Sequence, residues 1–127
     1  MSSMFWWARS QWRPDPQRAV DALGRVMAEL DDVIHQPLRL RIMAALNALP
    51  LSIGLEFSKL KKLTGATDGN LGAHIETLAR AGYVAVDKAF VGKKPQTTVT
   101  ATAAGRGAFA RHVATLQEII AASEGDE

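Results

Sequence analysis

The stretch "TDGNLGAHIETLARAGYV", residues 67–84, decides how the rest of the chain reads. Thr67 or Asp68 can cap a helix N-terminus, and Leu71, Ile75 and Leu78 follow at i, i+4 and i+7. Gly82 can take the left-handed conformation that stops a helix, just ahead of the β-prone Tyr83 and Val84. The stretch therefore predicts a helix with one apolar face. Two roles stay open for it: an element that only packs, or the element that meets a partner.

Working upstream, "FSKLKKLTG" (57–65) predicts a short helix with Phe57, Leu60 and Leu63 inward and Lys59, Lys61 and Lys62 largely outward. Gly65 is a plausible stop, so a turn of about three residues joins the two helices. The residues before Phe57 read as a short extended piece. "PLRLRIMAALNAL" (37–49) starts on a proline suited to a first helical position, sets Ile42, Leu46 and Leu49 on one face, and ends at Pro50. Before it, "PQRAVDALGRVMAELDDVIHQ" (16–36) places Val20, Leu23, Met27, Leu30 and Ile34 at spacings of 3, 4, 3 and 4. That narrow seam fits either a helix packed on its own core or a dimer helix.

Downstream, "YVAVDKAFVGKKPQTTVTAT" (83–102) alternates Val84 and Val86 with Ala85 and Asp87, breaks at "GKKPQ" and resumes with β-branched residues from Thr97 to Thr100. This predicts a β-hairpin with a basic tip. "AAGRGAFARHVATLQEIIAAS" (103–123) then aligns Phe109, Val113, Leu116 and Ile120 on one helical face before an acidic tail.

Composition bounds the function. A chain of 127 residues, 47% hydrophobic and 22% charged, fits one globular domain with extensions. No apolar run approaches the ~18 residues a membrane span needs. The absence of cysteine excludes disulfides, thiolate metal sites and thiol nucleophiles, and is compatible with a reducing cytoplasm. The start, "MSSMFWWARS", has its first basic residue after the apolar stretch and predicts no secretory signal. His35, His74 and His112 are scattered, and no phosphate-binding glycine loop, acid pair or nucleophile arrangement stands out, so neither an enzyme nor a metal or cofactor site is expected. The net charge of +2 conceals a division: residues 33–112 hold eleven Lys or Arg against four acids, while the flanks are acidic. A basic centre of this kind suits a polyanion, although a solvated basic surface fits the charge alone equally well.

Two helices joined by a tight turn and followed at once by a hairpin form the winged helix-turn-helix plan. The segment from "IHQPLRLRIMAAL" through "FSKLKKLTGATDGNLGAHIETLARAGYVAVDKAFVGKKPQTTVTATAAGR" resembles the winged-helix DNA-binding domains of MarR/ArsR-type bacterial transcriptional regulators, with "TDGNL" opening the recognition helix and "GKKPQT" at the wing. The likeness covers roughly residues 34 to 107, and the order and spacing of its pieces are more specific than any one of them. The expected fold is mainly α with a small β-hairpin, a winged helix-turn-helix with N- and C-terminal dimerisation helices. Residues 1–15 would be an aromatic extension, 16–107 the winged-helix domain with its first helix, and 108–127 a dimerisation helix and tail. The resemblance implies double-stranded DNA and a second copy of the chain as partners, with an unidentified small-molecule effector left open. Val20, Leu23, Met27 and Leu30, with Phe109, Val113, Leu116 and Ile120, would form the dimer interface. Phe5, Trp6, Trp7 and Trp12 would pack across that interface or onto the last helix, or form part of an effector pocket.

A major groove about 12 Å wide admits an α-helix, so the face opposite Leu71, Ile75 and Leu78 should read DNA. We assign to it Thr67, Asp68, Asn70, Ala73, His74 and Thr77. Asn70 can pair with adenine, Asp68 can accept from cytosine, and Thr77 can touch a thymine methyl or a phosphate. Asp68 serves equally as a cap against the helix dipole, and His74 as packing against the hairpin. Gly69 and Gly72 either admit close backbone approach or relieve crowding. At the wing, Lys93 and Lys94, set between Gly92 and Pro95, should anchor phosphates or enter the minor groove, with Gln96, Thr97 and Thr98 adding hydrogen bonds. Arg39, Arg41, Lys59 and Lys62 are further phosphate candidates. The recognition helix has no Arg or Lys near its start, which leaves a protein-binding winged helix as the rival reading.

Overall fold

A computed structural model describes residues 15–124 of the chain. The expectations for the aromatic opening and for the last three residues lie outside the described residues. The elements are α1 (Pro16–Ala28), α2 (Pro37–Asn47), β1 (Leu55–Glu56), α3 (Phe57–Thr64), α4 (Asp68–Arg80), β2 (Val84–Val91), β3 (Lys94–Ala101) and α5 (Ala103–Glu124).

The stretch from Thr67 onward forms a helix for the reasons its sequence gives. Thr67 is the N-cap, its hydroxyl accepting from the Asn70 N–H at 3.2 Å, while Leu71, Ile75 and Leu78 are buried. Gly65 and Gly82, both at positive φ, end α3 and α4, and three residues join the pair. α2 lays Ile42, Met43 and Leu46 into the same core, where they meet Ile34, Leu60 and Val99. Arg106, reaching across from α5, donates to the carbonyls of Leu49 and Pro50 at 3.0 and 3.1 Å and so closes the end of α2.

The sheet has the order β1-β3-β2 and is antiparallel throughout, with Val99 opposite Leu55 on one side and Val86 on the other. The break expected over 92–96 is only two residues long: Val91 pairs with Lys94, leaving Gly92 and Lys93 as the loop. Gly92 has φ 65°, the left-handed conformation that a glycine-first two-residue hairpin turn demands. Pro95 is tolerated within β3 because β1 reaches only Thr98 and Val99, so the edge beside the proline is open.

Three apolar assignments change. α1 ends at Ala28, so Leu30 and Ile34 leave the seam and Ile34 turns into the core. On α3, Phe57, Leu60 and Thr64 face inward, while Leu63 is 66% exposed. Steps of three residues drift around a helix advancing 100° per residue, whereas 57, 60 and 64 stay on one side. On α5, the buried face is Gly105, Ala108, His112 and Thr115, and the stripe from Phe109 to Ile120 lies to one side of it. Gly105 is required there, because a Cβ would overlap the carbonyl oxygen of Tyr83. Thr102 locks the same corner, its hydroxyl donating to the Gly82 carbonyl at 2.6 Å and accepting from the Gly105 N–H at 3.0 Å.

Asp31 explains why α1 stops. Its Oδ1 accepts from the N–H groups of Val33 and Ile34, its Oδ2 accepts from the Tyr83 hydroxyl at 2.6 Å, and its own N–H donates to His112 Nδ1 at 3.2 Å. Burial, joined by the charge of nearby His35, holds the His112 imidazole below its ordinary 6.5 against the pull of Asp31. Burial works to raise the Asp31 carboxyl, but the Tyr83 hydroxyl and the Ile34 and Val33 N–H groups, with His112, outweigh it and leave it below 3.8. The bond to Asp31, then burial and the Asp31 charge, lift the Tyr83 phenol above 10.0, with Arg111 opposing. The neutral imidazole is therefore favoured by the fold, so its contribution to stability is complete above pH 6.5 and is lost as pH falls through its lower folded value. Asp31 adds a loss only below pH 3.8, and Tyr83 adds one as pH rises above 10.0. Urea unfolding should give a midpoint that declines as pH falls below 6.5, and His112→Gln, which keeps an acceptor but does not titrate, should flatten that decline. An unchanged decline in the variant would place the titrating group elsewhere.

Candidate nucleic-acid interface

The outward side of α4 is built by subtraction. With Leu71, Ile75 and Leu78 buried, 100° per residue puts Gly69, Ala73, Glu76, Thr77 and Arg80 farthest from the core, with Asn70 at their edge. Asn70 and Ala73 are exposed, as assigned from sequence, and Thr77 is half-buried, its hydroxyl donating back to the Ala73 carbonyl at 3.2 Å. Thr67 is occupied by its cap. Asp68 and His74 flank the core rather than oppose it. Asp68 pairs with Lys61 at 2.9 Å, and His74 Nδ1 lies 3.0 Å from Arg39 Nη1, so the imidazole packs towards α2 and not towards the hairpin. Glu76 and Arg80, missed from sequence although the same wheel marks them, pair at 3.6 Å on the exposed side. A Cβ at Gly69 or Gly72 would meet nothing within 4 Å, so neither glycine relieves internal crowding.

On the wing, Lys93 and Lys94 are exposed and have no ion-pair partner among the described residues. Gln96 is turned inward, its amide donating to the Glu56 carboxylate. Thr97 is half-buried and helps line a groove of about 670 Å³ between α4 and the hairpin, with Phe57, Ile75, Val86 and Lys88. Lys59 and Lys62 are exposed on α3. Arg39, assigned to phosphate, instead donates through Nε to the Val33 carbonyl and through Nη1 to His74. Of the basic centre, Arg39, Lys61, Arg80 and Arg106 are thus engaged within the chain, and Arg41, Lys59, Lys62, Lys88, Lys93, Lys94 and Arg111 make no such bond among the described residues. Among the described residues, no group of three or more His, Cys, Asp or Glu could hold a metal, and no helix is long and apolar enough to cross a membrane.

A three-residue turn between α3 and α4 with a hairpin following at once defines a winged helix-turn-helix, a fold of DNA-binding transcriptional regulators. A family model described as a winged helix DNA-binding domain matches residues 38–120, and the chain belongs to that family. Similar proteins include a transcriptional regulator homologue of Pyrococcus horikoshii, 30% identical, with a TM-score of 0.68 over 80% of this chain and 95% of that one. An uncharacterized protein of Methanocaldococcus jannaschii is 31% identical over 64% of this chain and 85% of its own length. The likeness to BpsR of Bordetella bronchiseptica, whose DNA binding is regulated by 6-hydroxynicotinic acid, is one of fold: 18% identity and a TM-score of 0.60 over 87% of this chain and 82% of that one.

Proposed function

We propose that this chain is a homodimeric, sequence-specific repressor that occludes promoter DNA, and that it is not an enzyme. The outward face of α4, centred on Asn70, Ala73 and Thr77, enters the major groove, with Lys93 and Lys94 on the flanking backbone or in the minor groove and Lys59 and Lys62 on phosphates. The observation that carries this reading is the pair of exposed lysines held at the end of a two-residue loop, with no ion-pair partner among the described residues. A single module reads few base pairs, which calls for a twofold partner. α1 buries none of its residues, leaving Val20 61% and Met27 46% exposed, and Ile120 of α5 is 55% exposed. With Leu23, Phe109, Val113 and Leu116 half-buried on them and Leu30 just past the end of α1, these helices would supply the apolar surface for a second copy. Residues 16–107 would then be the reading unit, 108–127 the dimerisation helix and tail, and 1–15 an aromatic extension. Small-molecule control, as in BpsR, would act at the depression of about 380 Å³ between the end of α1 and α5, lined by Glu29, Asp31, Arg111 and His112.

Selection of bound duplexes from a random pool, then titration of the winner at several salt concentrations, tests the proposal. A palindromic site is expected, with affinity falling steeply with salt by about one log-log unit per neutralised phosphate. Light scattering should give twice the 13.7 kDa chain mass, reduced to one chain by Val20→Glu with Ile120→Glu. Absence of any enriched site would favour the protein-binding winged helix, which the lack of cations at the start of α4 also suits.

A further inference from the structure

Arg39 and His74 lie 35 positions apart in sequence, yet their side chains meet at 3.0 Å between α2 and α4. A guanidinium has five donors and no acceptor, so His74 Nδ1 must accept this bond. An imidazole accepting at Nδ1 carries its proton on Nε2. The arginine is itself held in place: its Nε donates to the Val33 carbonyl, and its N–H donates to the Gln36 side chain at 2.9 Å as part of the α2 cap. Its guanidinium is spent inside the chain instead of reaching a phosphate.

His74 stands four residues after Asn70 and three before Thr77, so the three polar side chains share one flank of α4. Helical side chains lean towards the N-terminus, the end from which a recognition helix contacts base edges. No described residue engages His74 Nε2, and that atom is not among the buried unpartnered ones. We propose that Arg39 is a positioning residue that restricts His74 to donating from Nε2, and that this donor excludes cytosine at one position of each half-site. The inference rests on the DNA-binding reading above and assigns a direction to one of its hydrogen bonds. In the major groove guanine (N7, O6), adenine (N7) and thymine (O4) each offer an acceptor, whereas cytosine offers only an amino donor, which a donating imidazole rejects. Without Arg39, either nitrogen could carry the proton, and donating and accepting edges would both be tolerated.

The test compares wild type, His74→Ala and Arg39→Met in the same duplex selection, with thermal melts to establish that each is folded. His74→Ala should lose the discrimination against cytosine at one position of each half-site, by roughly fivefold to tenfold, while keeping preferences elsewhere. Arg39→Met should weaken preference at that same position and leave the salt slope unchanged. Nitrogen-15 NMR of the free wild type should show Nδ1 of His74 unprotonated and Nε2 protonated, and Arg39→Met should convert this to a tautomer mixture. A salt slope reduced by about one unit in Arg39→Met, with every base preference intact, would make Arg39 a phosphate contact and overturn the inference. Unchanged preferences in His74→Ala would overturn it as well, leaving the pair as packing alone. If wild type enriches no site, the DNA-binding reading falls and this inference falls with it; enrichment without the exclusion of cytosine removes only the inference.

Discussion

Gly105→Ala should lower the stability of the chain by about 2 to 3 kcal/mol, read as a reduced urea midpoint with an unchanged slope. Helix propensity works in the opposite direction, because alanine is favoured over glycine by up to ~1 kcal/mol inside a helix. The loss comes from the new methyl overlapping the Tyr83 carbonyl oxygen. That obstacle is backbone and has no rotamer to escape into. α5 cannot simply shift, since Thr102 at its start is bonded both to the Gly82 carbonyl and to the Gly105 N–H. Gly24→Ala is the control: nothing lies within 4 Å of its Cβ, and it should gain about 0.5 to 1 kcal/mol. If both variants were stabilised alike, α5 would not be seated as closely on Tyr83 as described.

Replacing Lys93 and Lys94 together by alanine should weaken binding to every duplex by a similar factor, on the order of tenfold to a hundredfold at moderate salt. The log-log salt slope should flatten by roughly two units, one for each phosphate no longer neutralised. Val91 pairs with Lys94 across the loop, so both lysines sit at the hairpin end with no carboxylate to satisfy them among the described residues. Asn70→Ala should behave differently, changing which duplexes are preferred while leaving the slope in place. Equal loss of discrimination in both variants would undo this division between anchoring and reading.

How far the sequence discloses this molecule depends on the range of the interactions involved. α4 and the hairpin are legible because Thr67 caps a residue three places away and Val84 and Val86 alternate locally. The true end of α1 is not, because Asp31 is engaged by Tyr83, 52 residues on, and by His112, 81 residues on. The buried face of α5 escapes hydrophobic pattern-reading for another reason: it consists of Gly105, Ala108, His112 and Thr115, small or polar residues that allow close packing. Gln96 and Arg39 look like free polar groups until Glu56 and His74 are brought beside them across 40 and 35 residues. Asn70, Ala73, Lys93 and Lys94 keep their sequence-based exposure because no distant residue among those described comes to meet them.

Tyr83 follows α4 by three residues and is gripped at both ends, its hydroxyl by Asp31 at 2.6 Å and its carbonyl by the Thr102 N–H at 3.0 Å. The end of α4 is therefore fastened to the loop that follows α1 and to the residue that precedes α5, while its first turn, from Asp68 to Asn70, is exposed. α4 has 13 residues and is about 20 Å long. Over that lever arm, a tilt of ~5° at the pivot displaces the far tip by about 2 Å, enough to carry a hydrogen-bonding group out of reach of its partner. If α4 reads DNA as proposed, a distortion too small to disturb the core decides whether Asn70 reaches a base.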